Sequence, residues 1–277
     1  GSVQAGLADR LAALAVARDD GAALLKARLK AWRADPTLRR LLRLVDVATA
    51  LDRRDEVLTL EAGRAATGPL AQRAGLAAGL LLLAGRVEDA SELMAAAGRT
   101  FWEHRGHPGA VVVPFLLIGG SGAQGDQRWP DLLLFDLLDQ ANSIDWPYGF
   151  DDDPDTFPAA LQTGSDQFHG IPHGDLLLSR LLVDVLSTQP VESDQRRQWL
   201  DQGRAHVDSR LEAVVGGKHS SSYRRVAELA ACCAEAVTLA AGASAGRNYV
   251  DALHARYPRH VAFRRELRSA VAESPLL

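Results

Sequence analysis

Apolar residues recur every three or four positions along most of the chain, and this spacing constrains the fold more than any other feature of the sequence. From residue 3 to about residue 102, leucine, valine and alanine follow this helical period. β-Branched residues scarcely alternate with polar residues, as they would in strands. The sequence therefore predicts a succession of helices in this region and no sheet.

Two apolar stripes indicate how the first helices pair. Leu7, Leu11, Leu14 and Ala15 form the first stripe, and a second stripe runs from Leu24 to Trp32. The polar break at residues 19–21 separates them, so we expect an antiparallel hairpin with both stripes buried. The Asp35–Pro36 pair predicts the N-cap and first turn of a third helix.

Short polar linkers join the successive helical segments, as they do in stacked helical hairpins. The pattern predicts an all-α fold of antiparallel hairpins, arranged as an α-solenoid or a tetratricopeptide-like (TPR-like) array with an irregular central loop. Residues 80–93 resemble the turn between the helices of TPR hairpins. We expect one continuous domain in three parts: an N-terminal helical-repeat half (1–105), an apolar helix with a glycine-rich loop and an irregular insertion (106–172), and a C-terminal helical half (173–277).

The composition of the chain limits which classes of partner and which cellular compartment we expect. The chain has 31 basic and 35 acidic residues and a net charge of -4, so no overall field attracts nucleic acid or an anionic membrane. Its most apolar stretch, residues 77–84, is far shorter than the roughly 20 residues of a membrane span. The two cysteines are adjacent and provide no disulfide framework, and arginine greatly outnumbers lysine. We therefore expect a bacterial, cytoplasmic protein.

The segment from residue 143 to residue 172 lacks a helical period and is rich in Asp, Pro, Gly and aromatic residues. About 30 residues without regular structure is long for a compact domain, which favours a functional role. Aromatic and acidic side chains together suit contact with a basic protein partner. The candidate partner-binding residues are Trp146, Tyr148, Phe150, Asp151, Asp153 and Phe157.

Histidines near the end of this segment provide the candidate metal ligands. His169 and His173 have the i, i+4 spacing of helical metal ligands, and Asp175 is close enough in sequence to complete a site. Gly170 and Pro172 lie between the histidines, however, which indicates a loop or a helix entrance. Capping and packing are therefore the favoured roles of these residues, and no metal site is assigned.

Two further motifs resemble a cofactor-binding turn and a catalytic residue, but their sequence context favours structural roles. Residues 120–125 have the G-x-G-x-x-G spacing of a dinucleotide-binding turn, but Pro114 interrupts the supposed strand, and residues 128–130 separate the turn from the next helix. We predict a flexible inter-helix connection there and no cofactor. Cys232 lies within an apolar helical stretch, which predicts a buried, inert thiol rather than a nucleophile. No catalytic residue is assigned.

The last 60 residues contain the most distinctive motifs, at residues 223–229, 233–236 and 257–267. They resemble the C-terminal helical-repeat region that accompanies bacterial SWIM zinc-finger proteins. This resemblance implies a helical arm used for association. The zinc finger itself requires a Cys-x-Cys and a later Cys-x-His, and the sequence contains neither.

Taken together, these patterns favour a helical-repeat protein–protein interaction module or scaffold, which is either a separate protein or part of a larger one. The alternative is an all-α metal-dependent enzyme or small-ligand binder with its site at the central loop. The two hypotheses differ in what the central segment contacts: another protein in the first, and a metal or a small ligand in the second.

Overall fold

The computed structural model describes residues 2–97, 106–123, 131–144, 177–188 and 191–277. These residues form helices and no strands, which confirms the predicted all-α class for the described part of the chain. The α-helices are α1 (Ser2–Ala17), α2 (Gly21–Ala34), α3 (Leu38–Ala50), α4 (Arg54–Ala62), α5 (Ala74–Leu83), α6 (Val87–Ala96), α7 (Gly109–Ser121), α8 (Leu133–Asp139), α9 (Leu178–Thr188), α10 (Ser193–Leu211), α11 (Tyr223–Ala241), α12 (Ala243–Arg256) and α13 (Val261–Glu273). None of these helices combines the length and the apolarity needed to cross a membrane.

In the N-terminal half each helix packs on the next one in sequence, from α1 on α2 to α5 on α6. Thr37 caps α3, because its hydroxyl oxygen accepts a hydrogen bond from the backbone N–H of Arg40 at 3.2 Å. The prediction that Asp35 caps this helix is therefore wrong. Asp35 instead ends α2, and its carboxylate forms ion pairs with Arg40 and Arg73.

The first helix buries a different face from the one predicted. Ala8 and Ala12 are fully buried, whereas Leu7, Leu11 and Leu14 are 55%, 44% and 53% exposed. The prediction that these leucines form a core stripe is therefore wrong. The helix packs chiefly on α2 through its alanines, because small side chains allow two helix axes to approach closely.

Asp9 holds α1 in this orientation. Its carboxylate forms ion pairs with Arg28 of α2 at 3.3 Å and with Arg40 of α3 at 3.0 Å. Arg28 is only 3% exposed, and burial lowers the pKa of its guanidinium group. A rotation of α1 that buried its leucines would separate Asp9 from a buried charge, which is costly.

Two substitutions on α1 distinguish the observed orientation from the predicted one. Ala8→Leu should lower the free energy of unfolding by about 2 kcal/mol, because the added side chain has no space at the helix contact. Leu7→Ala should change it by less than about 0.5 kcal/mol, because Leu7 lies at the surface. Urea unfolding followed by circular dichroism measures both values. A larger loss for Leu7→Ala than for Ala8→Leu would contradict the orientation.

Helix α7 is the centre of the fold. Nearly all of its residues are buried, and it packs on α5, α8, α10 and α11. Its contact with α10 is close enough that a β-carbon at Gly120 would lie 2.5 Å from the backbone nitrogen of Leu200. Helices α7 and α10 are not neighbours in sequence, so this half of the chain departs from the next-neighbour packing of α1 to α6.

The glycine motif of residues 120–125 lies largely at the end of α7. Gly120 is in the last turn of the helix, and Gly122 ends it with a φ of 73°, in the left-handed region that glycine adopts readily. The prediction of a flexible connection is therefore wrong at Gly120, where glycine permits close helix packing. The residues that precede the motif are helical, so the strand of a dinucleotide-binding unit is absent there. Gly125 lies outside the described residues.

Helix α11 is the second centre of packing, and it contacts α7, α8, α10, α12 and α13. Its buried residues continue the core that α7 begins. Aromatic side chains join its first turn to the helices that follow: the rings of Tyr223 and Tyr257 lie edge-on to Phe263, at centroid distances of 6.1 Å and 5.5 Å. These residues belong to the motifs that suggested a family resemblance, and here they stabilise the packing of α11, α12 and α13.

Candidate functional site

The residues predicted to bind a partner or a metal all lie outside the described residues. They are Trp146, Tyr148, Phe150, Asp151, Asp153, Phe157, His169, His173 and Asp175. Their predicted roles therefore stay predictions. In the part of the chain that is described, no group of three or more His, Cys, Asp or Glu side chains is arranged to hold a metal ion.

A cavity of about 500 Å³ lies among α7, α8, α11 and α13. Its floor is apolar and includes Pro114 of α7, Leu133 of α8, Leu229 of α11 and Ala270 of α13. The volume lies in the range of sites that bind small molecules in proteins. Ser143 also lines the cavity, so the cavity adjoins the start of the predicted central loop.

Charged side chains line the more exposed part of the cavity, which we call the rim. Asp136, Glu228 and Glu273 bring three carboxylates, and Arg210 and Arg225 bring two guanidinium groups. Arg224 brings a third guanidinium group next to the rim, where it pairs with Glu228. A site of this kind can bind an apolar body in its floor and a charged group at its rim.

The three rim carboxylates differ in their partners. Glu228 accepts a hydrogen bond from the guanidinium Nε of Arg224 at 2.8 Å. The side-chain carboxylates of Asp136 and Glu273 form no hydrogen bond or ion pair with any of the described residues, although the charge of Glu273 acts on Arg224. Partial burial raises the pKa of Asp136, and the nearby charge of Asp139 raises it further. Asp136 is therefore a carboxylate in a negative local field without a neutralising cation.

Cys232 lies at the floor of the cavity and is 2% exposed. Burial raises its pKa well above the ordinary value, and the charge of Glu235 adds to this effect. Its neighbour Cys233 is fully buried and has a pKa raised to about 12, chiefly by burial. The predicted burial of Cys232 is confirmed, and a thiol with so high a pKa is a poor nucleophile.

Glu235 of α11 is fully buried and joins α8 to the C-terminal segment. Its carboxylate oxygens accept hydrogen bonds from the backbone N–H of Leu134 at 3.0 Å and from the hydroxyl of Ser274 at 2.7 Å. Leu134 lies in the first turn of α8, where N–H groups lack partners within the helix, and the residue that precedes the helix, Leu132, has no side chain able to cap it. Glu235 thus caps α8 from another helix.

Sequence reasoning missed both Glu235 and the cavity. The signal for Glu235 was a single acidic residue in the otherwise apolar middle of α11. A buried carboxylate requires hydrogen-bond donors, so its position predicts an important contact without identifying the donors. The cavity has no comparable signal, because its walls come from helices far apart in sequence.

Comparisons with protein-family models, with curated proteins and with solved structures found no match to this chain. The resemblance to the helical region of SWIM zinc-finger proteins therefore stays a prediction. The cavity and the exposed apolar face of α1 are therefore the structural features that bear on function.

Proposed function

We propose that the chain is a protein–protein interaction module, and that the exposed face of α1 is its binding surface. One observation carries this proposal. The described residues include eight large apolar side chains that are strongly exposed, and five of these lie on α1: Val3, Leu7, Leu11, Leu14 and Val16. The first four share one face of the helix, whereas Val16 lies on the opposite side near the end of the helix. A contiguous apolar face on a folded protein commonly marks an interaction site.

The position of α1 in the fold strengthens this proposal. Helix α1 packs chiefly on α2, and within the described part of the chain its leucines stay exposed. The water-facing side of a surface helix is usually polar. The outer face of α1 is apolar instead, which favours a face that is covered by a partner. For residues 1–105 we retain the proposal of a solenoid or TPR-like arrangement.

The charge of this face indicates the chemistry of the partner. Arg10 is three residues after Leu7 and four before Leu14, so it adjoins the leucine stripe, and Arg18 follows directly after the end of α1. Both are exposed, and neither has an ion-pair partner among the described residues. Asp9, the acidic residue of α1, is already paired with Arg28 and Arg40. The complementary partner is an amphipathic helix with an apolar stripe flanked by acidic residues.

This partner differs from the basic one that the central segment suggests. The acidic and aromatic candidates between residues 146 and 157 suit a basic surface, and a scaffold can hold two partners at separate sites. We place this function in the bacterial cytoplasm, since both cysteines are free buried thiols.

Matched glutamate substitutions test the binding surface. Leu7 on α1 and Leu60 on α4 are 55% and 52% exposed, so Leu7→Glu and Leu60→Glu place the same charge at equally exposed sites. We expect a captured acidic protein to bind Leu7→Glu at least about tenfold more weakly than the unchanged chain, because burying a charge in an apolar contact is costly. Leu60→Glu should bind normally.

Quantitative mass spectrometry of proteins captured from a bacterial lysate, followed by affinity measurement with the purified partner, provides the readout. Size-exclusion chromatography of both variants tests whether a second copy of this chain covers α1 instead. Identical capture by the unchanged chain and by Leu7→Glu would exclude α1 as the binding surface. If a captured basic protein no longer bound Leu7→Glu, this result would contradict the proposal that the partner is acidic.

A further inference from the structure

We propose that the cavity among α7, α8, α11 and α13 binds an organic cation, namely an ammonium ion on an apolar body larger than a lysine side chain. This inference goes beyond the interaction through α1, because it uses none of the residues of that face. It rests on the volume of the cavity, on the apolar floor and on the unpaired carboxylate of Asp136 at the rim.

The floor of the cavity selects for an apolar body. Pro114, Leu229 and Ala270 are buried residues of three different helices that converge on the cavity, and Leu133 closes the side formed by α8. An apolar ligand that enters this space removes its own surface and that of the floor from water. Each additional methylene group that becomes buried should strengthen binding by roughly fourfold.

The rim selects for positive charge. Asp136 and Glu273 lack a hydrogen bond or an ion pair within the described part of the chain, whereas Glu228 is paired with Arg224. The charge of Arg224 also acts on Glu273, whereas the charge that acts on Asp136 is that of another carboxylate, Asp139. A ligand with one positive charge therefore neutralises Asp136, and an anionic ligand would add to the negative field there.

Asp136 is the carboxylate that we assign to the ammonium group. It follows Leu133 by three residues on α8, so its side chain lies above the apolar floor on the same face of the helix. Burial and the charge of Asp139 both raise the pKa of Asp136. A bound ammonium ion would oppose both effects and would lower the pKa, and this change can be measured independently of affinity.

The volume of the cavity favours a free amphiphilic amine over a lysine side chain of another protein. A lysine side chain offers only a four-carbon stem, which would leave much of the approximately 500 Å³ unfilled. Unfilled apolar space loses the contacts that stabilise a bound group. A longer alkyl chain or a ring system attached to the ammonium group fills the apolar part of the cavity and places the positive charge at the rim.

Isothermal titration calorimetry on the full chain tests this assignment with three probes: octylammonium, octanoate and butylammonium. Octylammonium and octanoate share an apolar body and differ in charge, and butylammonium reproduces a lysine side chain. We expect octylammonium to bind at least about tenfold more tightly than either of the other probes. Carbon NMR should show the Asp136 pKa falling when octylammonium binds.

Three variants locate the charge contact. Asp136→Asn should weaken octylammonium binding roughly tenfold, as the loss of one charge-assisted contact does. Asp184→Asn, which neutralises an exposed aspartate on α9, should leave the binding unchanged. Both sites are exposed, so we expect both variants to fold, and Glu273→Gln provides a second rim variant with an expected smaller loss. Equal binding of octanoate, equal binding of butylammonium, or unchanged binding in Asp136→Asn would each overturn the proposal.

Discussion

Replacing Gly120 by alanine should lower the free energy of unfolding by about 3 kcal/mol, a large effect for the addition of one methyl group. The new β-carbon would lie 2.5 Å from the nitrogen and 2.7 Å from the α-carbon of Leu200. Both are backbone atoms of α10, and they can move away only if the whole helix moves. The separation of α7 from α10 would then open the centre of the core.

Gly6→Ala is the matched control for this experiment. Gly6 also lies within a helix, α1, but a β-carbon added there meets no atom within 4 Å. Alanine should therefore stabilise the protein by roughly 0.5–1 kcal/mol through its better helix propensity. Urea unfolding followed by far-ultraviolet circular dichroism measures both changes. A Gly120→Ala protein as stable as the unchanged chain would contradict the close contact of α7 and α10.

The second large effect is expected for Glu235→Ala, which should also cost about 3 kcal/mol. The substitution removes the acceptor for the Leu134 N–H and for the Ser274 hydroxyl, and it leaves both donors buried without partners. Glu235→Gln retains an oxygen that accepts from Leu134 and an amide group that donates to the Ser274 oxygen. We therefore expect a loss below about 1 kcal/mol for glutamine. Equal losses for the two variants would show that these hydrogen bonds are unimportant.

The pH dependence of stability provides a second test of Glu235. Burial raises the folded-state pKa of this carboxyl group above its unfolded-state value. The protonated form is therefore favoured by the fold, and its contribution is fully present below the unfolded-state pKa. It is lost as the pH rises through the raised folded-state pKa. Stability of the unchanged chain relative to Glu235→Gln should fall over this interval, and a rise would contradict the direction of the pKa shift.

The sequence predicted the positions of the helices better than the faces that they bury. The three-and-four spacing located α1 correctly, but Leu7, Leu11 and Leu14 lie at the surface. The prediction assumed that the largest apolar residues face the core. Alanines on the other side of α1 allow a closer contact with α2, and Asp9 completes that contact through ion pairs that only the folded structure reveals.

The candidate sites were less predictable, for physical reasons that differ between them. Glycine permits both a phosphate-binding turn and a close helix contact. The G-x-G-x-x-G spacing that includes Gly120 therefore does not distinguish these two uses. The cavity depends on Pro114, Asp136, Leu229 and Ala270 converging from four helices. Such convergence is a property of tertiary packing, for which periodicity along one helix gives no information.

The contact of α7 with α10 has a consequence for synthesis on the ribosome. Helices α1 to α6 can pack on their sequence neighbours as they emerge, but α7 requires a helix that begins roughly seventy residues later. At a synthesis rate of about 5–20 residues per second, the apolar surface of α7 stays without its cover for several seconds. The nascent chain should therefore bind ribosome-associated chaperones that recognise apolar segments most strongly after α7 has emerged, and it should release them once α10 has folded onto it.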